Sequence, residues 1–178
     1  MTKKRGFEVV SRYQDKGINL PKRATTASAG YDIEAAEDTV IPTIWKALLA
    51  VDDVSAAQVA GELPLASQDH LGSVLVPTGV KAFMPDDEYL LLANRSSNPM
   101  KRGLVLPNGI GVIDADYYGN ESNEGEIFVQ LINYGRTDYI VKKGDRIAQG
   151  IFTPYKTVSD EQGAELNRRS GGFGSSGR

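Results

Sequence analysis

Residues 106–119 read Leu-Pro-Asn-Gly-Ile-Gly-Val-Ile-Asp-Ala-Asp-Tyr-Tyr-Gly. The Asn108-Gly109 pair is a strong hairpin signal, and the run 110–113 after it is short, apolar and β-branched. The same grammar extends in both directions. Runs at 7–10, 73–77, 79–84, 89–93 and 103–106 come before, and runs at 127–132, 139–141 and 146–152 come after. Gly, Pro, Asn and Asp separate them. Many short strands of this kind predict an all-β domain: a sandwich, barrel or jelly roll. The strand–helix alternation of a doubly wound fold is missing.

The chain has 178 residues, which fits one domain, and 40% of them are hydrophobic, enough for a packed core. Lys3, Lys4 and Arg5 have no apolar stretch behind them, so neither a signal peptide nor a membrane span is expected, and the protein is expected in the cytoplasm. There is no cysteine, which removes disulfides, thiolate metal sites and a thiol nucleophile. His70 is the single histidine and reads as a solvent-facing or packing residue. A net charge of −3 argues against a nucleic-acid groove but permits a local cationic pocket for a small phosphorylated ligand.

Two segments break the strand rhythm. In 44–72, Trp45, Leu48 and Leu49, then Val54, Ala57 and Val59, are spaced as on short helices, with Asp53 to cap one and Gly61 to end it. The segment reads as an insertion of short helices and loop, or as a surface for a protein partner. The tail, 167–178, reads Asn-Arg-Arg-Ser-Gly-Gly-Phe-Gly-Ser-Ser-Gly-Arg. Glycine this dense disfavours regular structure, yet Arg168 and Arg169 with one aromatic and three serines suit a segment that wraps an anion. The tail lacks the lysine of a Walker loop.

Four internal clusters carry polar chemistry. Residues 27–33, Ala-Ser-Ala-Gly-Tyr-Asp-Ile, form a turn into a strand with Asp32 behind Gly30. Residues 94–99, Asn-Arg-Ser-Ser-Asn-Pro, are either a surface turn or a phosphate cradle, with Pro99 opening a short helix. Around Gly109 and Gly111, open backbone groups could read the edge of a base. Asp114 is then a candidate general base, and Tyr117 a cover for a sugar. Residues 144–149, Gly-Asp-Arg-Ile-Ala-Gln, pair Asp145 with Arg146 and put the Gln149 amide in an apolar run, in a core network or facing a ligand.

Taken in order, these four clusters and the tail resemble the five motifs of the trimeric all-β dUTPases, in the form typical of Gram-positive bacteria and their phages. The resemblance runs from about residue 24 to the C-terminus, with 44–72 as its main gap. It implies a jelly-roll protomer over 1–166, a glycine-rich arm over 167–178, and a homotrimer with three active sites at subunit interfaces. The implied reaction is hydrolysis of dUTP to dUMP and pyrophosphate with Mg2+, which keeps uracil out of DNA and supplies dUMP. By that analogy Asn108 and Gly111 hold uracil, and Tyr117 stacks on deoxyribose. Arg95, Ser96, Ser97 and Gln149 serve the phosphates, Asp32 holds hydrated magnesium through water, and Asp114 activates the attacking water. From the arm, Phe173 stacks on uracil while Arg168, Gly174, Ser175 and Ser176 grip the outer phosphates.

Three departures stand out. Ser97 replaces a common glycine, Arg169 stands where glycine is usual, leaving Arg168 or Arg169 open as the phosphate contact, and 44–72 exceeds the usual connection. A dCTP deaminase of the same fold is the nearest rival, but the Asp114 to Tyr117 pattern with Phe173 favours the diphosphatase. A second role as a repressor-binding regulator would rest on 44–72 alone.

Overall fold

The computed structural model describes residues 4–49 and 72–159. Twelve strands in these residues form four small antiparallel sheets: β1 (Gly6–Val9) with β6 (Val80–Phe83); β5 (Val74–Pro77), β10 (Phe128–Asn133) and β8 (Leu104–Val105); β11 (Tyr139–Val141) with β4 (Thr39–Ile41); and a five-stranded sheet. The last runs in the order β2 (Lys22–Arg23), β3 (Tyr31–Glu34), β12 (Arg146–Pro154), β7 (Glu88–Asn94), β9 (Ile110–Asp114). The all-β expectation holds. Each run read as a strand is one, the turn at 27–33 leads into β3 as expected, and β2 and β4 join them.

Alternation explains the packing. In β7, Leu90 and Leu92 point into the core, and in β12, Ile147 and Ala148 are fully buried at the bulge where that strand meets β3. Ile33, Ile41, Leu104, Ile127 and Leu131 complete a single main core between the sheets. The buried Asn133 has its amide satisfied by the carbonyls of Ile41 and Thr137, at 3.0 and 2.8 Å, and by the Gly135 N–H.

The helical reading of 44–72 is met at its start by α1 (Ile44–Leu49), and Trp45 donates to the Tyr134 carbonyl. Most of that stretch, including Asp53, Gly61 and His70, lies outside the described residues, as do Arg168, Arg169, Phe173, Gly174, Ser175 and Ser176 of the tail. Among the described residues, no helix is long and apolar enough to cross a membrane.

Two sequence readings are corrected. The Asn108-Gly109 pair does not close a hairpin, because β8 pairs with β10 while β9 pairs with β7. A hairpin turn centred on Asn-Gly needs positive φ at both residues, and only Gly109 has it, at +72°. Instead, Gly109 N–H donates to the Leu106 carbonyl with Pro107 second in the turn, and the chain crosses from one sheet to another. Nor does Arg146 pair with Asp145. The Asp145 carboxylate caps the Lys142 N–H within its own turn, while Arg146 reaches Asp32.

Candidate active site

The central position of β12 assembles the first polar group. Gln149 stands opposite Asp32 of β3 on one side and Ala93 of β7 on the other. The Asp32 carboxylate accepts from Arg95 Nε at 2.9 Å through one oxygen and from Arg146 Nη1 at 3.1 Å through the other. Arg95 and Arg102 both reach the Arg146 carbonyl. Two guanidiniums therefore hold one carboxylate and a third, from Arg102, meets the Arg146 carbonyl beside them, a local positive excess suited to phosphate oxygens.

Gln149 donates from Nε2 to the Asn94 carbonyl at 3.1 Å. Its side chain lies across Gly30, where a Cβ would fall 2.3 Å from Oε1. The glycine of the first cluster is thus the space that the amide of the fourth one occupies. Beyond Asn94 the expected short helix forms as a five-residue π-helical turn, Asn98–Arg102, with Pro99 in its first turn, Ser96 exposed and Ser97 at its entry. Asn98, fully buried, ties that turn to the strands through Asn94 Oδ1 and the Ile147 carbonyl.

A second group lies elsewhere. Leu92, Leu106, Asn108, Gly111, Tyr117 and Phe128 line a pocket of about 250 Å³ between sheets. A Cβ at Gly111 would press on Leu92 at 3.2 Å. Tyr117, at the end of a 3-10 turn (Ala115–Tyr117), is only 5% exposed. Its hydroxyl donates to the Glu126 carbonyl at 2.9 Å and accepts from Asn123 Nδ2 at 2.7 Å.

Register shows what one chain does not unite. Asp114 lies opposite Tyr89, whereas Gln149 lies opposite Ala93. At about 3.3 Å per residue, that offset is roughly 13 Å along β7. The pocket lining includes neither Asp32, Arg95 nor Gln149. The sequence-predicted residues thus form a neutral pocket followed closely by Asp114, and a separate arginine–carboxylate cluster. Sequence reasoning missed Arg102 and the loop after Tyr117. In that loop Glu126 is 1% exposed, paired with Arg12 at 2.7 Å, and pushed above the usual carboxylate range by burial against the pull of Arg12.

No group of three or more His, Cys, Asp or Glu side chains suited to a metal occurs among the described residues. The donors fit a different arrangement. A carboxylate has about four lone-pair sites, so Asp32 keeps acceptor capacity for a metal-bound water beside its two arginine bonds. Magnesium commonly sits on substrate phosphates with one or two protein carboxylates and several retained waters.

The dUTPase family model matches residues 63–177; the Ala-Gly-Tyr-Asp cluster precedes that match. Across nearly the whole chain, the deoxyuridine 5'-triphosphate nucleotidohydrolase of Lactococcus lactis is 43% identical, covering 97% of each chain. The protein of that name from Rickettsia felis is 37% identical over 94% of this chain and 95% of its own. Among solved structures, a Streptococcus mutans dUTPase superimposes with a TM-score of 0.68 at 41% identity, covering 86% of this chain and 98% of that one. The dUTPase of Staphylococcus aureus phage phi11 shares the fold, with a TM-score of 0.62 at 20% identity over 92% of this chain and 98% of its own. With motifs, fold and full-length kinship in agreement, this chain belongs to the dUTPase family.

Proposed function

We infer that the protein is a dUTP diphosphatase, hydrolysing dUTP to dUMP and pyrophosphate. The observation that carries this reading is the pocket between Asn108, Gly111 and Tyr117. It offers strand-edge backbone groups to a planar base and an aromatic wall to a sugar, with a carboxylate, Asp114, three residues along the strand. Backbone donors and acceptors can read the pairing edge of uracil and reject cytosine by its donor pattern. The tight fit around Gly111 disfavours a base carrying an added methyl.

In the reaction, water attacks the α-phosphorus, the bond to the bridging oxygen of pyrophosphate breaks, and Asp114 takes the proton of the water. Arg95, Ser96, Ser97 and Gln149 orient the phosphates, and Asp32 positions Arg95 and would hold a hydrated Mg2+ through its remaining acceptor capacity. Bound to the triphosphate, Mg2+ supplies charge neutralisation. Arg168, Phe173, Gly174, Ser175 and Ser176 of the 167–178 arm are proposed to close over base and outer phosphates and to exclude competing water.

The distance between the two groups supports a shared site. One chain keeps Asp114 well away from the Asp32–Arg95–Arg146 cluster, so a homotrimer in which one protomer supplies the pocket and another the phosphate cluster makes the site complete. The jelly-roll description of the protomer belongs to the same reading.

The test is pyrophosphate release from dUTP, UTP, dCTP and dTTP in magnesium, with ammonia followed for dCTP. Release from dUTP alone, reduced by about a hundredfold or more in Asp114→Asn, is expected. Ammonia from dCTP, or no release from any nucleotide, would overturn the reading.

A further inference from the structure

The loop behind Tyr117 is built more tightly than a surface connection needs. The Asn120 amide donates to the Tyr117 carbonyl at 2.8 Å and to Asn123 Oδ1 at 2.8 Å, and its own oxygen collects Ser122 and the Asn123 N–H. Asn123 Oδ1 also accepts the Gly125 N–H at 3.0 Å, which fixes the amide so that Nδ2 faces the Tyr117 hydroxyl at 2.7 Å. A Cβ at Gly125 would fall 2.6 Å from the Tyr117 carbonyl oxygen, so backbone packs directly on backbone there.

The loop is clamped from outside as well. Glu124 takes the Ser11 hydroxyl and N–H, and Glu126 holds Arg12 and the Gly79 N–H. Arg12 in turn lies 5.8 Å from the centre of the Phe128 ring, which lines the same pocket.

We propose that Asn123 is a positioning residue for nucleotide selection, holding the Tyr117 ring through its hydroxyl at the setting that leaves no room for a ribose 2′-hydroxyl. This rests on the dUTP diphosphatase reading. An aromatic wall excludes one extra oxygen only if it cannot retreat by about an ångström. Tyr117 follows a short 3-10 turn and would pivot at that end without a fixed hydroxyl. The two bonds at its oxygen give the ring a second anchor. Asn123 is not among the residues that line the pocket, so its effect passes through the ring.

The experiment is a cycle of Asn123→Ala and Tyr117→Phe, read as kcat/KM for dUTP and for UTP, with a melting curve for each variant. Asn123→Asp is the second variant, because it keeps the acceptor for Asn120 and Gly125 and removes the donor that Nδ2 offers to the Tyr117 hydroxyl and, at 3.5 Å, to the Glu126 carbonyl, setting a carboxylate oxygen against that carbonyl instead. The expected result is a fall of about three- to tenfold in dUTP-over-UTP selectivity for Asn123→Asp, the size of one neutral hydrogen bond, borne mainly by a lower KM for UTP. Asn123→Ala in the Tyr117→Phe background should lower selectivity no further. Unchanged selectivity in a folded Asn123→Asp variant, or equal losses from Asn123→Ala with and without the Tyr117 hydroxyl, would overturn the proposal. A wild-type protein without dUTP hydrolysis would instead sink the reading beneath it.

Discussion

Gly30→Ala tests the link between the first and fourth clusters. An alanine Cβ would sit 2.3 Å from Gln149 Oε1 and 3.1 Å from both Cβ and Cδ of that side chain. Turning the terminal amide relieves only the first contact. The other two require the whole side chain to shift, which breaks its 3.1 Å bond to the Asn94 carbonyl. Losing that bond costs about 1 kcal/mol. Residual crowding adds about 1–2 kcal/mol. Gly30 has no positive φ, so alanine also stiffens the unfolded chain and returns about 0.5 kcal/mol. The net is a destabilisation of about 2 kcal/mol, a drop of roughly 4–8 °C in Tm for a chain of this size. Thermal unfolding at fixed protein concentration measures it, and kcat/KM for dUTP should fall because Gln149 leaves the phosphate site. The same substitution in a Gln149→Ala background should cost less, since Oε1 and Cδ are gone and only the 3.1 Å contact with Cβ remains. Equal destabilisation in both backgrounds, or none in either, would refute the coupling.

Two further outcomes follow from the same geometry. Burial raises the Glu126 carboxyl above its ordinary value of 4.5, so the folded chain keeps that proton to higher pH than the unfolded one. Stability should therefore fall as pH rises from 4.5 to the folded value, then level, and Glu126→Gln should lack this component; parallel stability–pH curves would contradict it. Asp32→Asn removes the carboxylate shared by Arg95 and Arg146 and should raise the magnesium needed for half-maximal rate by about tenfold or more. An unchanged magnesium dependence with reduced kcat would limit Asp32 to holding the arginines.

The strands were legible wherever an apolar run was long enough to declare itself. Residues 89–93 and 146–152 became β7 and β12 because leucine and isoleucine between polar or glycine punctuation fit a pleated, half-buried surface. Tyr31–Glu34 carries two carboxylates in four residues and Thr39–Ile41 only three residues in all, so pairing with β12 and β11, not local pattern, makes them strands. Pairing also overrode the Asn108-Gly109 signal, since local turn chemistry does not say which sheet the next strand joins. The motif residues were visible as types but not as partners. The contact between Gly30 and Gln149 exists only once β3 and β12 lie side by side. Residues 120–126, Asn-Glu-Ser-Asn-Glu-Gly-Glu, are all polar or glycine, yet Asn120 and Glu126 are buried. The one local hint was a carboxylate directly before the apolar run that starts at Ile127.

The two halves of the site solve different physical problems, and that predicts how their substitutions behave. In the proposed site, base and sugar selection depends on shape and falls to backbone edges and to a tyrosine braced at both ends, in a pocket without charged lining. Phosphate handling depends on charge, which acts over longer distances and tolerates small displacements, so it is assigned to arginines gathered by one carboxylate on neighbouring strands. Loosening the first half should change the ratio between nucleotides while sparing the maximal rate. Weakening the second should lower turnover by the same factor for every nucleotide the enzyme accepts, because all of them carry the same triphosphate. A substitution at Arg95 that shifted dUTP-over-UTP selectivity as much as turnover would mean that the halves are mechanically coupled across the proposed protomer interface rather than independent.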